Sequence, residues 1–370
     1  MSILISILVF IAVILVLVLV HEAGHFFTAK HFGIRVDEFG FGFPPKIYGK
    51  KFGETEYSIN ALPIGGFVKI FGENPNEENT HGPDSARSFV NKPKWQQAIV
   101  LFAGIFSNFL LAWILLSFGF MSGLPTSVGS EPNGYKLKDV RLVIVTVSEK
   151  SPAEISGLKS GDKVISINSG TDSVVDINPD TLKAFVVAHP DKEIDIGYTR
   201  GKDKNIYIAK VTPKAEKVGD KPIIGVAMDQ IGTAKLPIYQ AFWEGLKLDW
   251  YVTEGTVVGL YTLISQGIQG KGSMEDVAGP VGMVKITGDA YKFGLAYLLS
   301  FAALISVNLA IINLLPFPAL DGGRLLFVLI EKIKGSRINP KFANNANTIG
   351  FVILMILMLL ITYHDVIKLF

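Results

Sequence analysis

His21-Glu22-Ala23-Gly24-His25 closes an apolar run that begins at Ile3. Histidines four apart on a helix share one face, so both imidazoles can bind a single Zn²⁺. Glu22 lies about 100° round the helix from His21, near enough to act on a water beside the metal without being a ligand. Zinc lowers the pKa of water in its open position to about 7, and a neighbouring carboxylate can then move the protons. Ionisable groups beside a membrane span are costly unless they are used, and the chain has only 6 His. The pattern points to a hydrolytic zinc site rather than to two histidines that happen to flank a glutamate.

Such a site needs a third protein ligand and one open position. The chain has no cysteine, so that ligand must be His or a carboxylate. His31 stands at the spacing HExxHxxGxxH, but Thr28 occupies the glycine position of that pattern. With Thr28 the helix continues more easily, carrying His31 about 240° from His25. Glu38, Glu54, Glu56 and Glu73 lie on no recognisable helix. Asp321 sits in Asn313-Leu314-Leu315-Pro316-Phe317-Pro318-Ala319-Leu320-Asp321-Gly322-Gly323. There the prolines break the helix and the glycines permit an unusual backbone, so the carboxylate can turn inward.

The elements that must position these groups are membrane spans. Of 370 residues, 49% are hydrophobic and 18% charged, with a mean hydropathy of +0.38. That composition fits several spans plus a soluble part. A net charge of +2 gives no argument for nucleic acid. Stretches 3–29, 98–120, 294–315 and 349–361 (the last extending towards Phe370) are apolar enough to cross a bilayer. No Lys or Arg precedes the first, and no small-residue cleavage site follows it, so it reads as a retained span rather than a signal peptide. Spans one and three run in the same direction, which puts 38–94 and 322–347 on one side. The second of these loops carries Arg324, Lys332, Lys334, Arg337 and Lys341 against Glu331, as expected of a cytoplasmic loop.

The section between spans two and three would then be extracytoplasmic. Residues 139–213 read as a small β-rich domain, with strands at 143–147 and 163–168, helices at 151–158 and 179–188, and two further strands about a turn at 199–202. Next, 239–266 mixes Phe242, Trp243, Leu246 and Trp250 with Glu244, Lys247, Asp249 and Glu254. That mixture predicts an amphipathic helix lying along the membrane interface.

Together, the HEAGH and NLLPFPALDGG segments resemble the two metal motifs of the site-2 protease family of intramembrane zinc metalloproteases. The likeness is to its bacterial branch of the regulator of sigma-E protease type, with a PDZ domain between spans two and three. The resemblance covers nearly the whole chain. It implies that Asp321 is the third ligand of a Zn²⁺ also held by His21 and His25, that Glu22 is the catalytic base, and that Asn313 contacts substrate near the metal. Gly65-Gly66-Phe67-Val68-Lys69-Ile70-Phe71-Gly72-Glu73 is similar to the family's membrane-associated β-hairpin, which implies that Gly66, Phe67 and Val68 hold substrate as an added strand. Gly104-Ile105-Phe106-Ser107-Asn108 is similar to a motif beside the active site, which brings in Asn108 as a substrate contact. Ala278-Gly279-Pro280-Val281-Gly282 resembles the segment leading into span three. Residues 151–162 are similar to a circularly permuted PDZ signature, with Ser156 where Ala is usual.

The expected fold is a polytopic α-helical membrane protein of about four transmembrane helices with an inserted α+β PDZ domain. Its expected parts are 1–30, the first span with HExxH; 31–96, a cytoplasmic-side loop with the β-hairpin; 97–121, the second span; 122–236, the extracytoplasmic PDZ domain; 237–292, the interfacial helix and linker; 293–323, the third span with LDGG; and 324–370, a cytoplasmic loop and the fourth span. Expected partners are the lipid bilayer of a bacterial inner membrane, single-pass membrane protein substrates such as anti-sigma factors or remnant signal peptides, and an extracytoplasmic peptide at the PDZ groove. The active site would face the cytoplasmic side.

Overall fold

The computed structural model describes residues 3–132, 134–148, 150–201, 203, 205–215, 221–270 and 278–367. They divide into two compact units, Met1–Ser117 with Gly245–Asp289 and Leu299–Phe370, and Phe118–Glu244 with Ala290–Leu298. Residue 202 of the expected turn and residues 368–370 of the last expected span lie outside the described residues.

The first unit opens with α1 (Ile3–His31), apolar all round until it reaches His21, as a helix surrounded by lipid must be. The following polypeptide forms β1 (Val36–Phe52) and β2 (Thr55–Ile70). The expectation centred on 65–73 captured only the last part of this structure. Phe39 pairs with Val68 on one side and Tyr57 on the other, Gly40 with Phe67 and Ser58, and Phe41 with Gly66 and Ile59. The second half of β1 returns to pair Lys46 with Asn60 and Phe52 with Thr55. Each strand therefore doubles back, making a four-segment sheet in the order 46–52, 55–60, 36–41, 66–70, in which 66–70 is an edge. A periodicity search misses this, because the register shifts repeatedly along the pair.

After the short α2 (Glu77–His81), α3 (Lys94–Ser122) runs back through the unit. Phe26 and Ala29 of α1, Ile34, Val36 and Ile70 of the hairpin, and Val100 and Leu101 of α3 share one buried cluster.

The second unit holds the β domain. Its strands are β3 (Leu124–Ser127), β4 (Lys138–Val147), β5 (Asp162–Ser169), β6 (Asp172–Ser173), β7 (Ile194–Arg200), β8 (Tyr207–Val211) and β9 (Val226–Ala234), with helices α4 (Pro152–Ile155) and α5 (Pro179–Ala188). The sheet runs β3-β9-β4-β5-β7-β8, with β6 on β5. Strands β3 and β9 extend the sheet beyond the expected span 139–213. The core is Leu142 and Ile144, Val164 and Ile167, Ile194 and Ile196, Ala209 and Val211, closed by Leu182 and Val186 of α5. Helix α5 starts where Pro179 follows Asn178, whose side chain caps Thr181 N while Thr181 caps Asn178 N. Asp162 is fully buried and takes a bidentate ion pair from Arg200, at 2.6 Å from Nε and 2.7 Å from Nη2.

The remaining helices are α6 (Ile238–Ile268), α7 (Pro280–Phe293), α8 (Leu295–Leu314), α9 (Asp321–Lys334) and α10 (Pro340–Ile367). Among the described residues four helices, α1, α3, α8 and α10, are long and apolar enough to cross a membrane. Helix α10 begins nine residues before the expected start at 349, because Pro340 opens two polar turns ahead of the apolar stretch.

The position expected for α6 needs correction. Within the first unit it packs lengthwise on spanning helices: Gly245 lies against Ser117, while Leu248, Val252 and Leu260 pack on Ala112, Leu116, Ala303, Val307 and Ile311. Thr256 Oγ1 donates to Asn308 Oδ1 at 3.0 Å. Charges had argued against a helix beside the spans, yet Asp249 is buried in the bundle, and Trp250, Tyr251 and Tyr261 make up much of the exposed face. Helix α7 forms where a linker was expected, and its start is held by Asp365 of α10, which accepts from Gly279 N at 3.1 Å and Gly282 N at 2.8 Å.

Replacing Asp162 by Ala removes the partner of a guanidinium tied into β7. A loss of about 2 to 3 kcal/mol is expected, below the range for fully buried pairs because Arg200 is partly solvated. Hydrogen exchange on the full chain should report it as faster exchange confined to β5 and β7.

Candidate metal centre

The centre is built where α1 crosses α3. A Cβ on Gly24 would collide with Ala103 O and Ser107 Oγ, and one on Gly104 would collide with the imidazole of His25. Two glycines thus set how closely the helices approach and leave the space that the ring fills. His25 Nδ1 donates to Val100 O at 2.8 Å, which fixes the tautomer and leaves the Nε2 lone pair free. Behind His21, the side-chain amide of Asn108 lies 3.2 Å from Nδ1. Asn108 is fully buried and its Oδ1 has no other partner. With the amide turned so that Oδ1 accepts from Nδ1–H, oxygen and ring are both satisfied and His21 Nε2 faces the centre unprotonated. Asn108 was expected to touch substrate; its burial behind the ring makes it an orienting group instead.

Asp321 arrives from the opposite side at the start of α9. Ala319 takes a left-handed φ of 76°, and a Cβ on Gly322 would collide with Leu314 O and Leu315 O, one on Gly323 with Phe317 O. The two glycines allow α9 to begin directly against the backbone of the proline loop. Helix α10 backs that loop, with Asn347 Oδ1 accepting from Ala319 N at 3.2 Å and Gly350 packed on Pro318. The result puts Asp321 Oδ2 2.9 Å from His21 Nε2 and 3.2 Å from His25 Nε2, with the two Nε2 atoms 3.2 Å apart. With both Nε2 atoms presenting lone pairs, Asp321 must contribute as the ionised carboxylate, the form that ligates.

These donors fit a metal. Two imidazole lone pairs and a carboxylate oxygen converge at hydrogen-bond distances with donor N–H groups turned away, an arrangement that repels itself unless a cation stands among them. The ligand set, two neutral His and one carboxylate, matches zinc. None of the other candidates joins it. His31 is exposed, Glu38 accepts from Ser58 Oγ, Glu54 pairs with Lys30 and Arg87, Glu56 with Lys46 and Glu73 with Arg324.

Beside the centre, Glu22 lies close to the backbone of Val68. Strand segment 66–70 therefore runs along α1 next to the HExxH turn, and the position of a Cβ on Gly66 would be 3.0 Å from Gly40 O and 3.7 Å from Val18 and Leu19. Phe67 covers Gly40, and Asn313 is half-buried in the last turn of α8. Sequence reasoning passed over Gly24, the Val100 carbonyl and Arg324. Arg324 sits one turn after Asp321 and pairs with Glu73 just beyond β2. Its i+3 spacing from Asp321 was the available signal.

Gly104→Ala should push the His25 ring from its place and lower zinc affinity by about 10- to 100-fold, as loss of groups supporting a ligand does. Gly255→Ala, at an open position on α6, should leave it unchanged. Zinc per mole of purified protein after dialysis against a graded chelator measures both.

The model of peptidase family M50 matches residues 9–357. The chain is similar to a protein named as a zinc metalloprotease in Clostridium perfringens, 35% identical over 95% of each chain. It is also similar to the regulator of sigma-W protease RasP of Bacillus subtilis, 31% identical over 99% of each, and to the zinc metalloprotease RasP of Geobacillus kaustophilus, 30% identical over 99% of this chain and 98% of that one. A match along nearly the entire length means that the chain belongs to peptidase family M50, the site-2 proteases, and is an intramembrane zinc metalloprotease.

Proposed function

We propose that this protein cuts peptide bonds within or near the transmembrane segments of single-pass membrane proteins, such as anti-sigma factors or remnant signal peptides, in regulated intramembrane proteolysis. The observation that carries this reading is the edge segment 66–70, whose outer side pairs with no strand among the described residues and which runs along α1 beside Glu22, with Gly66 near Val18 and Leu19. A substrate helix has its carbonyls occupied by its own hydrogen bonds and must unwind before water can attack. An open strand edge beside the base offers the unwound backbone new partners.

His21, His25 and Asp321 hold the metal. When bound, zinc supplies Lewis acidity to the scissile carbonyl and to water. Glu22 takes the proton from the attacking water and delivers it to the leaving nitrogen. Asn108 and the Val100 carbonyl keep the imidazoles in their ligating tautomers. Gly66, Phe67 and Val68 align the substrate strand, and Asn313 donates to its backbone near the scissile bond.

The orientation that fits is an active site towards the cytoplasmic side of a bacterial inner membrane, supported by the Lys and Arg excess over 324–341. The β domain is then extracytoplasmic, and we read it as a PDZ domain. Strand β9 pairs with β3 only through 231–234, leaving the side of 226–229 away from β4 open for an added peptide strand next to α5.

Glu22→Gln should retain zinc and lose cleavage by about 10²- to 10⁴-fold, the usual contribution of a general base. Asp321→Ala should lose zinc and cleavage together. The discriminating comparison uses two fusions to one reporter, one carrying a membrane-embedded segment and one an unstructured soluble peptide. Preferential cutting of the embedded segment is the expected result, and cutting of the soluble peptide alone would overturn the intramembrane substrate.

A further inference from the structure

The β-domain sheet buries one face on its own core, through Leu142, Ile144, Val164 and Ile167. On the opposite face Val143 and Lys163 are direct cross-strand neighbours, and Arg141 stands two residues before Val143. This face looks onto the turn joining α7 to α8, where Phe293 packs over Gly161. Between them lies a cavity of about 640 Å³, lined by Asp139, Arg141, Val143, Lys163, Phe293 and Tyr297 among others, and within the size range of small-molecule sites. Its lining also includes Ser122 and Gly123, where α3 ends, and Leu295, where α8 begins.

We propose that this cavity binds the headgroup of an anionic phospholipid. Three observations carry it. The ends of two candidate spans border the cavity, so it opens at the depth of lipid headgroups. Its two cations, Arg141 and Lys163, form no ion pair among the described residues, and the single carboxylate of the lining, Asp139, is exposed at a bulge with φ 51° where β4 gains a residue against β9. The wall opposite the cations is apolar, made of Phe293 and Leu295 where the chain enters α8. A phosphate between the guanidinium and the ammonium takes charge-assisted hydrogen bonds from both, while the glycerol and acyl chains follow the aromatic side towards α8. A peptide is the poorer occupant. Strands β4 and β5 are paired on both sides, in the order β9-β4-β5-β7, so this face has no free backbone edge for strand addition.

The test uses the full-length protein in nanodiscs of mixed phosphatidylcholine and phosphatidylglycerol, followed by mild detergent extraction and quantification of retained lipid by native mass spectrometry. Wild type should retain phosphatidylglycerol over phosphatidylcholine, and Arg141→Ala with Lys163→Ala should reduce that preference by about tenfold, the scale of one lost charge-assisted bond. The charge-keeping pair Arg141→Lys with Lys163→Arg should restore most of it. Zinc content serves as the folding control, and if the double variant fails it, Arg141→Gln and Lys163→Gln singly should each weaken retention severalfold. Equal retention by wild type and the charge-removed variants would overturn the site. So would displacement of the lipid by a soluble acidic peptide but not by added phosphatidylglycerol.

Discussion

Two imidazole lone pairs and a carboxylate, brought within 3.2 Å of one another between helices that cross a membrane, are the constraint on which the rest of this fold depends. Without a cation the arrangement repels itself, and in a medium of low polarity the repulsion is little screened. The protein must therefore spend packing elsewhere to hold the three groups in place. The two parts of the site come from positions 296 residues apart in sequence, so the tolerance at the centre is inherited by every element that touches it.

That tolerance is met by backbone proximity more than by side-chain bulk. Gly24 and Gly104 let α1 and α3 approach closely, and Gly322 and Gly323 let α9 start against the proline loop. Gly350 does the same for α10 against Pro318. Each substitutes a close main-chain contact for a side chain at a place where one missing Cβ fixes the direction of a ligand. The buried amide of Asn108 and the Val100 carbonyl then settle which ring nitrogen of each histidine faces inward. Geometry and protonation are fixed by separate groups, and both sets lie outside the triad itself.

What could be read from residues alone follows from the range of the forces involved. Spans α1, α3 and α8 were legible because burial in lipid demands continuous apolarity, a local property. The HExxH pair was legible because its geometry lies within one helical turn. Asp321 was not singled out by local chemistry: His31 and several glutamates remained open until the resemblance of both motifs to a known family favoured it, and the fold alone shows the rivals engaged elsewhere. Asn108 was assigned to substrate because its place behind His21 depends on the crossing of α1 and α3. The packing of α6 was misread because Asp249 faces the bundle, and a charge count cannot tell inward from outward. Half of the hairpin sheet was missed because its strands change partner along their length.

On the proposed reading, the closeness of segment 66–70 to Glu22 joins two tasks that are usually described apart. A strand edge that accepts substrate must present its backbone groups, whereas Glu22 needs a fixed direction to move a proton. Here that edge runs along α1 beside Glu22, with Gly66 near Val18 and Leu19, so the position of the strand and the surroundings of the carboxylate are set together. Arg324 extends the coupling, since it reaches from the first turn of α9, one turn past Asp321, to Glu73 just beyond the same strand. On the proposed reading, the strand edge, Glu22 and the metal helix are thereby tied in one chain of contacts, and alignment of an unwound substrate would be the same event as alignment of the catalytic groups.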